Sequence, residues 1–170
     1  KVDVNLSSFE TFFPEKRAFF LEGQEIFITT PRASGRDGTP TTLLNTRRIG
    51  SAPKDPLISD FKLGGIEANQ PSELEGAGKI TGQNGKLRYG FLAAIEDDTK
   101  LSGEVGGQPL EVLQDGRQFS VARLLYEDTS TGDRRSIGWM STNVAHTQED
   151  ATVHSIDGHY LTADGRWNTD

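Results

Sequence analysis

The chain has 170 residues, a formal net charge of −7, 34% hydrophobic residues, 19 glycines and no cysteine. The acidic balance argues against a nucleic-acid partner, because phosphate binding needs a basic surface. The missing cysteine excludes disulfides and thiolate chemistry without choosing a compartment. No stretch approaches the roughly 18–20 apolar residues of a membrane-spanning helix. Membrane barrels stay open, since their signal is alternation rather than long apolar runs. The length suits one ordinary domain or a piece of a larger protein. The start Lys1-Val-Asp-Val has no initiator Met and no visible secretory leader, so residues upstream are expected to have been removed.

The first element is a run, Phe9 to Glu22, dense in both rings and charges. Six of the nine phenylalanines fall between Phe9 and Phe27, interleaved with Glu10, Glu15, Lys16, Arg17, Glu22 and Glu25. Such a pattern suits neither a plain helix nor an alternating strand. Pro14 removes a donor and pushes Phe13 towards an extended conformation. Residues 1–60 are therefore expected to form an irregular, Phe-rich segment wedged against something large, with rings buried and charges paired or facing a wet cavity. Leu21 to Thr30 is compatible with a short helical turn or a strand. Arg32 to Thr42, with Gly35, Gly38 and Pro40, reads as a loop.

Residues 61–170 read as an antiparallel meander of long hairpins. Asn84-Gly85 and the Asp-Gly pairs at 37, 115, 157 and 164 favour tight turns. Gly78 to Gln83 leads into Asn84-Gly85, and Lys86 to Ile95 returns. On that return Leu87, Tyr89, Phe91, Ala93 and Ile95 share one face; Arg88, Gly90, Leu92 and Ala94 share the other. Glu96 to Gly116, Gly-rich and acidic at its start, is expected to be a long loop. Gln118 to Glu127 and Arg134 to Val144 bracket a turn at 128–133, and Ala151 to Thr162 forms a further strand. Strands of roughly 8–11 residues match the length that crosses a bilayer as part of a barrel.

Several constellations could carry chemistry. Glu15, Glu22 and Glu25 could supply the carboxylate pair of a glycosidase, but pairing with Lys16, Arg17 and nearby arginines is the preferred reading. His146, His154 and His159 are the only histidines, and five-residue spacing on a strand puts the last two on opposite faces, so no metal site is expected. There is no Gly-x-Ser-x-Gly and no Walker-type loop. Arg47 and Arg48 could hold an anionic head group, yet arginines facing a polar barrel interior, paired with acids, suit them better. Arg123, alone between Val121 and Leu125, fits the same picture. The candidate network is thus Glu15, Lys16, Arg17, Arg47, Arg48 and Arg123, with no cofactor and no catalysis expected.

Asn5 to Gly23 (NLSSFETFFPEKRAFFLEG), Thr46-Arg-Arg-Ile-Gly50 and Gly78-Lys-Ile-Thr-Gly82 together resemble a largely uncharacterised group of bacterial outer-membrane proteins. Phe119 to Leu124, Arg135 to Gly138 and Ser155 to Gly158 are similar to that family's first barrel strands, in the same order. Ala18 stands where the family usually has proline. The resemblance implies a domain like a family 9 carbohydrate-binding module upstream of Lys1 and most of a β-barrel downstream of Asp170. Any glycan contact would then belong to the upstream domain.

The expectation is an all-β segment of an outer-membrane-type barrel, in contact with outer-membrane lipid and completed by the rest of the barrel or by a partner chain. Its role would be structural, in transport or in anchoring. A soluble carbohydrate-binding or glycan-processing module is the first alternative, and a β-subunit completed by a partner chain in a surface assembly is the second.

Overall fold

A computed structural model describes residues 15–29, 43–54, 56–64, 70–148 and 150–169. The first half of the Phe-rich run and the expected loop at 32–42 lie outside these residues. The described part of the N-terminal segment is irregular. It contains one helical turn, α1 (Ala18–Leu21), and two 3-10 turns, Gln24–Phe27 and Thr46–Arg48. The described part of the stretch expected at Leu21 to Thr30, up to Thr29, therefore resolves into helical turns rather than a strand. Gly23, at φ 64°, provides the left-handed step between the first two.

The rest is antiparallel β. After β1 (Lys62–Leu63) come β2 (Leu74–Asn84), β3 (Leu87–Glu96), β4 (Thr99–Val105), β5 (Gln108–Gln114), β6 (Gln118–Asp128), β7 (Arg134–Ala145), β8 (Ala151–Leu161) and β9 (Asn168–Thr169). A six-stranded sheet has the order β2-β3-β6-β7-β8-β9, and a three-stranded one the order β1-β4-β5. In the larger sheet β2 pairs only with β3, and β9 only with β8, so the described residues form an open sheet and not a closed barrel.

Turn chemistry explains the meander. Asn84-Gly85 reverses the chain between β2 and β3 with Gly85 at φ 59°, and Gly165 at φ 70° serves the Asp164-Gly165 turn. Two expectations fail. Glu96 to Gly116 is not a loop: β4 and β5 pair across the two-residue turn Gly106-Gly107, where both residues have positive φ (59° and 79°). Leu101 is fully buried on this hairpin. Gly103 leaves room for the Phe61 ring, which a Cβ would meet at 2.5 Å. The second failure is Asp157-Gly158, which lies inside β8 rather than at a turn, because the Asp157 side chain is held by an arginine across the sheet.

The two faces of the large sheet differ in what covers them. On the inner face, Leu92, Ala94, Phe119, Val121, Leu125 and Met140 join Phe20, Ile26, Phe27 and Ile49 of the N-terminal segment in one core. On the outer face, register carries large apolar side chains across four strands: Tyr89 lies opposite Leu124, Leu124 opposite Trp139, and Trp139 opposite Ile156. All four are exposed, as are Ile80, Phe91, Tyr126 and Ile137. Tyr89 also reaches across to cover Gly82, filling the space a side chain there would need.

Candidate functional site

An irregular segment leaves backbone carbonyls without ladder partners, and a buried carbonyl must find a donor. Here the sheet's side chains supply them. Lys79 of β2 donates to the carbonyls of Phe19 and Glu22. Arg123 of β6 donates through Nε to the Ile26 carbonyl at 3.3 Å. Arg117 reaches the Ser51 carbonyl at 2.9 Å, and Gln114 the Lys54 carbonyl at 3.0 Å. Glu96 returns the favour, accepting from the Gly50 N–H at 2.7 Å. The segment is thus fastened along its length by groups on the inner wall and its hairpin extension.

Three charged centres hold this arrangement. In the first, Glu15 accepts from Arg17 Nε (2.9 Å) and Nη2 (2.7 Å) and from the Thr46 hydroxyl (2.7 Å). Arg17 then donates to the Ile49 carbonyl (2.7 Å) and the Thr46 carbonyl (2.6 Å), and lies over the Phe20 ring. Burial alone would raise the Glu15 pKa. The hydrogen bonds from Arg17, Thr46 and Lys16 outweigh it and bring the carboxyl down to about 2. In the second centre, Arg117 grips Glu96 through Nε (2.5 Å) and Nη2 (2.9 Å) at the root of the β4–β5 hairpin, with Glu96 itself 3% exposed.

The third centre is Arg123, 1% exposed. Its two terminal nitrogens pair with the two oxygens of Asp157 on β8, and His159 Nε2 lies 3.1 Å from Asp157 Oδ2. An arginine placed in mid-strand is tolerable here because its fork is satisfied by a carboxylate and a carbonyl.

The residues singled out from sequence are not all brought together. Glu15 and Arg17 form one centre and Arg123 another, on different parts of the inner face. Lys16 is exposed, and so are Arg47 and Arg48 on their 3-10 turn. Within Thr46 to Ile49 it is the flanking carbonyls, not the two guanidinium groups, that Arg17 uses. Asp157, Glu96 and Arg117 were not singled out. Asp157 was hidden in a dipeptide that signals turns, and the other pair in the segment expected to loop. The inward alternation of Arg123 was the available signal that a carboxylate must face it from a neighbouring strand.

The histidines are dispersed. His146 Nε2 lies 3.1 Å from the Asp115 carbonyl, His154 stacks on Trp139 on the outer face, and His159 faces inward. Among the described residues no three His, Asp or Glu side chains gather in a way that could hold a metal ion. No helix among them is long and apolar enough to cross a membrane.

No curated protein and no solved structure matches this chain. A family described as a domain of unknown function, DUF5916, matches residues 1–169. By that match the chain belongs to the DUF5916 family.

Proposed function

We propose that this chain forms part of the wall and the internal plug of a bacterial outer-membrane β-barrel, with a structural, transport or anchoring role. The observation that carries the reading is the contrast between the two faces of the six-stranded sheet. The inner face holds the buried Arg123–Asp157 pair and the N-terminal segment, while the outer face presents uncovered apolar side chains such as Ile80 (65% exposed) and Ile156 (77% exposed). A sheet whose uncovered face is apolar, with its buried ion pair on the covered face, suits a bilayer against the uncovered side.

Strand length supports the same reading. β2, β3, β6, β7 and β8 have 11, 10, 11, 12 and 11 residues, against roughly 9–11 for a tilted membrane-crossing strand. Open edges are not tolerated in hydrocarbon, and membrane barrels have at least about eight strands. β2 and β8 would therefore be continued by further strands, either of the same protein or of a partner chain. Residues 15–29 and 43–54 would sit in the lumen. The resemblance noted from sequence adds an upstream carbohydrate-binding-like domain, which the barrel would anchor. The reading assigns no reaction to this chain.

Expression with native flanking sequence tests the proposal. Fractionation with the outer membrane, together with a heat-dependent shift in gel migration, is the expected result. A soluble protein whose migration is indifferent to heating would overturn it.

One observation favours a second reading, a glycan-binding surface. Tyr89 and Trp139 are exposed in one cross-strand row of the outer face, flanked by Phe91 and Tyr126, and rows of exposed rings stack on sugars. Saturable binding on a glycan array by a soluble protein, lost in Trp139→Ala, would establish this reading over the first.

A further inference from the structure

Between the 3-10 turn Gln24–Phe27 and the inner face, towards the tight-turn end of the sheet, lies a cavity of about 380 Å³. Its polar lining holds three arginines, Arg88 from β3, Arg123 from β6 and Arg134 from β7, against one acid, Glu25, and Leu125 and Leu161 add apolar wall. The acids that pair with the other two arginines do not line it. Asp157 is taken by Arg123, and Glu127 accepts from Arg134 Nε at 2.8 Å. Glu25 is the acid at the cavity, with its side chain 67% exposed.

Arg88 is paired with Glu25 only at ion-pair distance. Its side chain is 25% exposed, and its approach to Glu25, at 3.8 Å, is too long for a hydrogen bond. A guanidinium carries five N–H donors in a planar fork, and among the described residues none of them has a hydrogen-bonded acceptor. A half-buried cation with unused donors beside an apolar wall is the lining of a ligand site. We propose that the cavity binds a small organic anion, with a carboxylate on the Arg88 fork, supported by Arg134, and a body of about one ring's size against Leu125 and Leu161. The volume lies at the low end of the range of about 300–1,000 Å³ for small-molecule sites. The site depends on the plug segment docking on the wall and not on a surrounding bilayer, so it goes beyond the barrel reading.

The test uses the purified full-length protein, in detergent or buffer as its fractionation dictates, titrated with 4-fluorobenzoate and followed by ¹⁹F NMR. The expected result is saturable binding, weakened about tenfold or more by Arg88→Gln and unchanged by Lys100→Gln, which lies exposed on β4 of the separate small sheet. Glu25→Gln removes the competing carboxylate and should tighten binding, a gain that a misfolded variant could not produce. Three results would overturn the site. One is no saturable binding, or binding indifferent to both Arg88→Gln and Glu25→Gln. Another is equal binding of 4-fluorobenzylamine, which would remove the preference for anions. The third is binding of inorganic phosphate without 4-fluorobenzoate, which would remove the carboxylate with an apolar body.

Discussion

Gly138 lies directly beneath the Arg123 guanidinium: a Cβ at position 138 would stand 2.5 Å from both Nη1 and Nη2. Arg123 is on β6 and its partner Asp157 on β8, so the side chain must cross β7 to make the pair. Adjacent strands are about 4.8 Å apart, and Gly138, paired in register with Asp157, is where the crossing happens. Arg123 also holds the Ile26 carbonyl. One missing side chain on β7 thus allows the wall to pair its buried charges and to fasten the segment lying on it.

Gly138→Ala should therefore destabilise the protein by about 1–3 kcal/mol, the usual range for overpacking a filled site. Gly158→Ala, on the outer face of β8 with only Ser136 O at 3.7 Å from its Cβ, should change stability far less. Denaturant or thermal unfolding of the two variants side by side checks the difference.

Removing one member of the buried pair should cost more. Arg123→Met leaves Asp157 with only His159 and the Ile26 carbonyl without its donor, a loss of about 3–5 kcal/mol. The double variant Arg123→Met/Asp157→Leu should recover most of that loss, because no charge is then left buried without a partner. A double-mutant cycle measures the coupling. Equal damage in the single and double variants would show that the pair is not the source.

Glu15 makes stability depend on acid. Its carboxyl titrates at about 2 when folded, below the ordinary value of 4.5. The stabilisation it contributes is fully present above about pH 4.5 and is lost as the pH falls towards 2. Glu15→Gln should cost about 1–2 kcal/mol at pH 7, the shift being discounted for the solvent around half-exposed Arg17. The deficit relative to the parent should shrink steadily from pH 4.5 and close as the pH falls through 2. A deficit constant with pH would mean that the carboxylate's charge is not what holds Arg17 and Thr46.

Gly90 tests the fastening itself. A Cβ there would stand 2.9 Å from Ile26 Cγ2 and from Phe27 Cζ. Gly90→Val should lift the 3-10 turn Gln24–Phe27 off the wall while leaving the β3–β6 ladder intact. Limited trypsin digestion should then cut faster after Lys16 and Arg17, with the β-sheet circular dichroism unchanged.

Much of the sheet is legible in the sequence, for reasons that lie in particular residues. Asn84-Gly85 and the turn at 128–133 place β2, β3, β6 and β7, and alternation along Leu87 to Ile95 separates the faces of β3 correctly. Which face is covered is not legible there. The side with more bulk, Leu87, Tyr89 and Phe91, is the one left open, because the N-terminal segment packs on Gly90, Leu92 and Ala94 instead. β4 and β5 escape notice because Gly103, Gly106 and Gly107 look like loop composition, whereas each glycine answers a local need: a close ring, and two positive-φ turn positions. Of the site, Arg123 announces itself as a charge in mid-strand. Its partner does not, since Asp157-Gly158 carries turn chemistry and only the register of β6, β7 and β8 brings the two together. Glu15 and Arg17 are near neighbours in sequence and so could be paired directly. Arg47 and Arg48 stand exposed, and a basic dipeptide says nothing about which way a 3-10 turn faces.

The most direct test of the central claim is lipid accessibility along β3. The chain has no cysteine, so single cysteines at positions 89, 91 and 92 can each carry a nitroxide in the otherwise native protein, reconstituted in vesicles. Alternation is expected, with positions 89 and 91 accessible to oxygen dissolved in the bilayer and shielded from a water-soluble nickel chelate, and position 92 shielded from both. Contact of positions 89 and 91 with the aqueous reagent instead would contradict a membrane-facing wall.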